Sequence, residues 1–256
     1  MILALDVGNT NIKIALAKGE EIVYSWRLSA KNSRTADEFG IELGNLLSSK
    51  NYSFSDVDGV IVSSVVPSLN YTLSHAITYY IGIEPIFVSA DLNTGLVFKY
   101  NPLSSLGADR IANAVGAYYS YGAPCIVIDL GTATTCGVIN AKGEFVGGCI
   151  APGIITSADA LSQKASKLPL VELVQPDKAI QDDTIHGIQS GIIVGFRGLV
   201  REIVGEFKKE LGDENVKVIA TGGLTELIAD KSFIDVFDRP LTLKGLIKLY
   251  ELNSKK

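Results

Sequence analysis

The chain has 256 residues, 47% of them apolar and 20% charged, with a formal net charge of −5. That length suits one large domain or two of ordinary size, and that composition suits a well-filled globular core. The acidic balance argues against non-specific nucleic-acid binding, and no run of about twenty uncharged apolar residues predicts a membrane-spanning helix.

Met1 leads straight into an apolar strand with no basic segment, so no secretory signal is expected. Cys125, Cys136 and Cys149 lack C-x-x-C spacing and lie in or beside apolar runs, so they read as reduced core residues of a cytoplasmic protein. With only His75 and His186 to help them, a zinc site is not expected.

In chain order, Ile2–Leu5, Ile12–Ala17 and Glu21–Leu28 read as strands, followed by a helix from about Ala36 to Ser49. A strand over Gly59–Val66 meets Pro67 and Ser68, which open a helix to about Ile81, and Ile86–Val88 forms a short strand. Gly95, Asn101, Pro102 and several serines mark 89–105 as a long functional loop. A helix from about Ala108 to Tyr121 crosses into the second half. There, strands are predicted at Ile126–Asp129, Thr134–Ile139 and Glu144–Ile150, then a helix from Pro152-Gly153 to about Lys167. The polar stretch Leu168–Asp183 is expected to be a mobile loop. A long helix spans Thr184–Leu211, the strand Val216–Ala220 runs into Thr221-Gly222-Gly223, and a terminal helix covers Leu241–Leu252. Strands interleaved with helices make an α/β fold, and the three leading strands of each half make its sheets mixed.

The two halves repeat one another. Asp6-Val7-Gly8-Asn9-Thr10-Asn11-Ile12-Lys13 has a degraded copy in Asp129-Leu130-Gly131-Thr132-Ala133-Thr134, each after an apolar run. Each copy leads to a further strand and then a lysine-glycine-glutamate turn, Lys18-Gly19-Glu20 and Lys142-Gly143-Glu144. The acids stand 123 positions apart (129 − 6) and the turns 124 (142 − 18), which reads as one inserted residue. A shared unit of strand, turn, strand, tight turn and strand implies duplication.

The chemistry of the repeat suits a nucleotide. Glycine lets backbone N–H groups approach an anion, and threonine hydroxyls add donors. A carboxylate at the strand end would repel phosphate unless a cation lay between them. Two such turns and the third glycine turn at Gly222 and Gly223 predict a three-part nucleotide cleft. The chain lacks both G-x-x-x-x-G-K-[ST] and a G-x-G-x-x-G after its first strand, so neither a P-loop nor a dinucleotide site is expected.

This pattern resembles the actin, sugar-kinase and heat-shock-chaperone ATPase superfamily. With Gly107-Ala108-Asp109-Arg110, Gly147-Gly148-x-Ile150-x-Pro152-Gly153 and Thr184-x-x-Gly187-x-Gln189-Ser190-Gly191 added, it is similar to the type III pantothenate kinases over nearly the whole chain. The resemblance implies two duplicated ribonuclease H-like domains, over 1–115 and 116–256, with an interdomain ATP cleft. It implies transfer of the ATP γ-phosphoryl group to the primary hydroxyl of pantothenate, by a homodimer using Mg²⁺ and a monovalent cation, K⁺ or NH₄⁺. By the same carry-over, Asp6 through Lys13, Thr132, Gly222 and Gly223 bind ATP, with Asp6 reaching Mg²⁺ through water. Asp129 holds the monovalent cation, Asp109 is the catalytic base, and Tyr100, Gly107, Ala108, Asp109, Arg110 and Thr184 contact pantothenate.

Structural alternatives stand beside these roles. Lys13 can be a solvated strand lysine, Asp109 a helix cap with Arg110 paired to a surface acid, Tyr100 a packing residue and Thr184 an N-cap. Gly187, Gly191 and Gly195 share one helix face and suit either a dimer contact or packing within the subunit. A kinase for another small alcohol or sugar, and a nucleotide-sensing regulator without transfer activity, are the competing functions. No helix-turn-helix pattern or basic face supports DNA binding.

Overall fold

The computed structural model describes residues 1–30, 34–228 and 230–254. It contains, in order, β1 (Ile2–Val7), β2 (Asn11–Lys18), β3 (Glu21–Ser29), α1 (Ala36–Ser48), β4 (Gly59–Ser64), α2 (Pro67–Ile81), β5 (Ile86–Phe87), β6 (Val97–Phe98) and α3 (Ala108–Tyr121). Then come β7 (Cys125–Leu130), β8 (Ala133–Ile139), β9 (Glu144–Pro152), α4 (Ile154–Lys164), α5 (Thr184–Leu211), β10 (Lys217–Thr221), β11 (Val236–Phe237) and α6 (Leu241–Asn253). The chain forms two compact units: Met1–Ser120 with the segment from Leu241 onward, and Tyr121–Pro240. This differs from a division into 1–115 and 116–256, because α6 packs on β1, β4 and β2 of the first unit.

In the first unit the strand order is β3-β2-β1-β4-β5; in the second the corresponding strands run β9-β8-β7-β10-β11. The hairpin-linked strands β1–β3 and β7–β9 are antiparallel, whereas β4 and β10 lie parallel to β1 and β7. Strands joined by a tight turn must reverse, and strands reached through a helix need not. The copies also share a β-bulge, at Leu16/Ala17 in one and Val138/Ile139 in the other.

Their turns differ in a way the sequence count concealed. Asp6 pairs across its hairpin with Lys13, but Asp129 pairs with Thr135, so the second acid-tipped turn is one residue shorter. The next turn compensates. Gly19, with φ +59°, takes the first central position of a two-residue loop between paired Lys18 and Glu21, the place a II′ turn reserves for glycine. Ala141–Gly143 makes a three-residue loop that ends on Gly143 at φ +73°. The copies therefore differ by one loss and one gain rather than by a single insertion.

One face of the first sheet carries Leu3, Leu5, Val7, Ile12, Ile14, Leu16, Val60 and Val62, covered by Phe39, Leu43 and Leu47 of α1 and Leu73, Ala76 and Ile77 of α2. Strand alternation sends Ala4, Asp6, Ile61 and Ser63 to the other face, toward α6. There Gly59 lies under Tyr250; a Cβ at this position would fall 1.8 Å from the phenol oxygen. The helices α3 and α6 cross at Gly116 and Gly245 with their backbones in contact, and beside that crossing Thr242 Oγ1 donates to Asn113 Oδ1 at 2.8 Å. In the second unit, Ile126, Ile128, Leu130, Cys136, Val138, Val218 and Ala220 pack under Ile193, Phe196, Val200 and Val204 of α5. Tyr121, where the chain enters this unit, donates to Asp238 Oδ2 at 2.6 Å, where it is about to leave; burial first, and then this bond, push the phenol pKa up.

The long loop predicted over 89–105 contains β6 and a short 3₁₀ turn at Leu103–Ser105. Among the described residues, no helix is long and apolar enough to cross a membrane.

Candidate functional site

In the first unit the acid-tipped turn is built by β1 and β2. Gly8 N–H donates to Asn11 O at 3.0 Å, and Ala30 N–H to Thr10 O at 3.0 Å, so the turn is tied to itself and to the end of β3. Asn9 at its tip is exposed. Val7 and Ile12 send their side chains into the core, which leaves only their main chain to line the turn. Asp6 is 8% exposed, and Lys13, its register partner, places Nζ 3.0 Å from Oδ2. Lys13 is thus the counter-charge of Asp6 rather than a solvated strand lysine. A carboxylate this sheltered requires such a partner.

The Gly107–Arg110 motif opens α3 at the same end of the sheet. Val65, just past β4, donates its N–H to Val7 O, and a Cβ on Gly107 would sit 3.9 Å from Val65 Cγ1. Gly107 O accepts from the N–H groups of Arg110 and Ile111, which makes Gly107 the first capping residue and puts Asp109 within the first turn. Asp109 Oδ1 accepts from Arg110 N–H at 2.8 Å; a Cβ on Gly107 would lie 2.5 Å from that oxygen, so glycine is what lets the carboxyl group fold back there. A helix N-terminus favours the ionised carboxylate and any anion brought to it. Arg110 is buried, 7% exposed. Its Nη1 donates to Tyr100 OH at 3.1 Å, and the guanidinium lies 5.2 Å from the centre of that ring. Tyr100 is therefore fixed to the motif by both a hydrogen bond and a cation–π contact. Ala108 is buried behind them.

In the second unit three turns gather at one end of β7 and β10. Thr132 O accepts from Gly153 N–H at 3.1 Å and from Thr156 Oγ1 at 2.7 Å, so the first turn of α4 clasps the acid-tipped loop. Gly222 has φ +103°, and a Cβ there would stand 2.5 Å from Leu130 O; only glycine brings this turn against the end of β7. Gly223 follows it into the same turn. Asp129, half-buried, lies in register with Thr135 on one side and Thr221 on the other.

Thr184 is the exposed first residue of α5, but it is not the cap. Asp183 caps the helix, accepting from His186 N–H at 3.0 Å, a bond that heads the causes holding its carboxyl below the usual range. Sequence reasoning passed over Thr156, Thr135 and Ser63, which carry no motif and show their position only through register and contact. Among the described residues, no group of three or more histidine, cysteine, aspartate or glutamate side chains is placed to hold a metal. A cation here would be held by isolated carboxylates, its own waters and ligand oxygens, which suits Mg²⁺ or Mn²⁺ and not zinc or copper.

Comparison with known proteins places this arrangement. A Campylobacter jejuni protein described as a Baf family transcriptional activator is 20% identical, with 97% of both chains aligned and a TM-score of 0.60. MreB 5 of Spiroplasma citri bound to AMPPNP is 15% identical over 98% of this chain and 95% of its own, with a TM-score of 0.55. A Listeria monocytogenes protein described as an N-acetylmannosamine kinase is 15% identical over 98% of each chain, with a TM-score of 0.53. These likenesses establish the duplicated fold shared by actin-like proteins and sugar kinases. The model of the family described as type III pantothenate kinase matches residues 2–206. That segment takes in both acid-tipped turns, the buried Arg110–Tyr100 pair and Asp109, and the chain accordingly belongs to the type III pantothenate kinase family.

Proposed function

We propose that this kinase transfers the γ-phosphoryl group of ATP to the primary hydroxyl of pantothenate, forming 4′-phosphopantothenate for coenzyme A synthesis. The observation that carries the reading is one end of the first sheet, where β1 carries the Lys13–Asp6 pair and Val65, bonded to Val7, neighbours Gly107 at the start of α3, which bears Asp109. Asp109 takes the proton of the attacking hydroxyl. Arg110, steadied by Tyr100, presents a fixed fork to the pantothenate carboxylate, with Thr184 as a further substrate contact. In each unit the acid-tipped turn binds phosphate oxygens, through Gly8–Lys13 in one and Thr132 in the other, while Gly222 and Gly223 take the adenosine side. Mg²⁺ fits Asp6 and K⁺ or NH₄⁺ fits Asp129, each supplying positive charge to the triphosphate when bound.

The test is turnover of purified protein with MgATP and KCl, followed through coupled ADP release. Turnover with pantothenate but not with glucose or glycerol, slowed when Na⁺ or Li⁺ replaces K⁺, is the expected result. Turnover of another alcohol instead would make this a different kinase of the superfamily. ATP binding with no turnover of any alcohol would favour a nucleotide-sensing regulator.

We also propose that the protein works as a homodimer through α5. A Cβ on Gly187, Gly191, Gly195 or Gly198 would meet nothing within 4 Å, and Ile185, Val194 and Leu199 are exposed on the same helix. Bare glycines beside exposed aliphatic side chains suit close approach by a second helix, and among the described residues no packing within the subunit uses them. Gly195→Lys is expected to leave the fold intact and to shift light scattering from about twice the 27.3 kDa chain mass to one chain. A persistent dimer would place the interface elsewhere.

A further inference from the structure

We propose that Ser63 is a positioning residue for Asp6, its hydroxyl turning onto the Asp6 carboxylate when Lys13 leaves it for bound phosphate. Ser63 lies on β4 in parallel register with Asp6, so their side chains stand on the same face of the sheet about 4.8 Å apart along the hydrogen-bonding direction. It is 0% exposed, and among the described residues its Oγ has no hydrogen-bond partner. A buried hydroxyl with nothing to bind is costly, so its presence on the buried part of a mainly apolar strand calls for a partner in another state.

The duplicated unit supplies an internal control. The position equivalent to Ser63 is Thr221, in register with Asp129, and there the hydroxyl is committed: it donates to Arg239 O at 3.3 Å. The same place in the fold can therefore satisfy its hydroxyl on the backbone, and in the first unit it does not. What differs is the neighbour. Asp6 is sheltered from water and held by Lys13 at 3.0 Å. If Lys13 swings to a phosphate oxygen, the carboxylate loses its charged partner, and its shelter leaves little room for bulk water to replace the loss. A change in the Ser63 side-chain torsion alone brings an O–H donor to it. That bond would fix the carboxylate's orientation toward the nucleotide-bound cation.

The inference rests on the reading that the first turn binds phosphate, and the experiment separates the two. Ser63→Ala and Ser63→Thr would be compared with the unaltered protein for melting temperature, for Mn²⁺–ADP affinity by the electron paramagnetic resonance of Mn²⁺, and for steady-state kinetics. Threonine suits the position, since Thr221 fills its counterpart. Ser63→Ala is expected to melt at or above the parent temperature and to bind Mn²⁺–ADP about tenfold more weakly. Its kcat/KM for ATP should fall by a similar factor while KM for pantothenate stays within about twofold, and Ser63→Thr should recover most of the loss. A lower melting temperature in Ser63→Ala would make the hydroxyl structural and overturn the proposal. So would unchanged Mn²⁺–ADP affinity, or a well-folded Ser63→Thr as impaired as alanine. Parent protein that binds Mn²⁺–ADP but ignores pantothenate would refute the substrate and leave the Ser63 comparison intact; parent protein that binds no Mn²⁺–ADP would refute both.

Discussion

Asp109→Asn is expected to lower phosphoryl transfer by about 10²- to 10⁴-fold, the usual contribution of a positioned general base. ATP affinity should stay within about twofold. The substitution is isosteric, and its amide oxygen still accepts the Arg110 N–H that holds the carboxyl group at 2.8 Å, so the start of α3 is preserved. The competing account treats Asp109 only as a favourable charge at a helix N-terminus, a role of about 0.3–1 kcal/mol. That account predicts a slightly lower melting temperature and near-normal kcat. Rapid-quench measurement of the first turnover, alongside a melting curve, tells the two apart, because the magnitudes differ by orders and fall on different observables.

Gly245→Val should be among the most damaging single substitutions for the fold, costing more than about 4 kcal/mol, in the class reserved for core overpacking. At this position a Cβ would lie 1.9 Å from Ala112 O and 2.9 Å from Gly116 N. Those are backbone atoms of α3, so no side-chain rotation can relieve the clash. The reciprocal position agrees: a Cβ on Gly116 would fall 2.5 Å from Leu241 O. Moving the helices apart would break the Thr242–Asn113 hydrogen bond and shift α3, which carries Asp109. Denaturant titration gives the measurement. An unfolding free energy lowered by only a few tenths of a kilocalorie per mole would mean that the crossing tolerates separation, and the close packing of α3 on α6 would not be essential.

Much of this architecture was legible in the sequence because its signals are local. Apolar runs bounded by turn residues gave every strand of four or more residues to within two or three positions, and α5 appears over Thr184–Leu211 as read. The acid-tipped turns were visible because aspartate, glycine and threonine sit together in the chain. What stayed hidden depends on residues distant in sequence. The short β11 has too few residues to show a period, and Asp183 rather than Thr184 caps α5, a distinction set by one backbone angle. The return of α6 to the first unit is written in Gly116 and Gly245, whose meaning needs both helices in view. Register is equally silent: Ser63 looks like one polar residue in a strand until β4 is aligned with β1. The compensating turn lengths, too, are invisible in the sequence, where matching lysine-glycine-glutamate runs align Glu20 with Glu144 although the register aligns Glu21 with it.

The route of the chain has a consequence for biosynthesis. The first unit begins at Met1 but is finished by α6, which follows all of Tyr121–Pro240. While the ribosome is still making the middle of the protein, the Ala4 and Ile61 side of the leading sheet has no cover. The contiguous second unit can mature as it emerges, whereas the first must wait for the last helix to be released. Order of completion therefore runs opposite to order of synthesis, and a message cut short before α6 yields a product exposing a bare apolar sheet to chaperones and proteases.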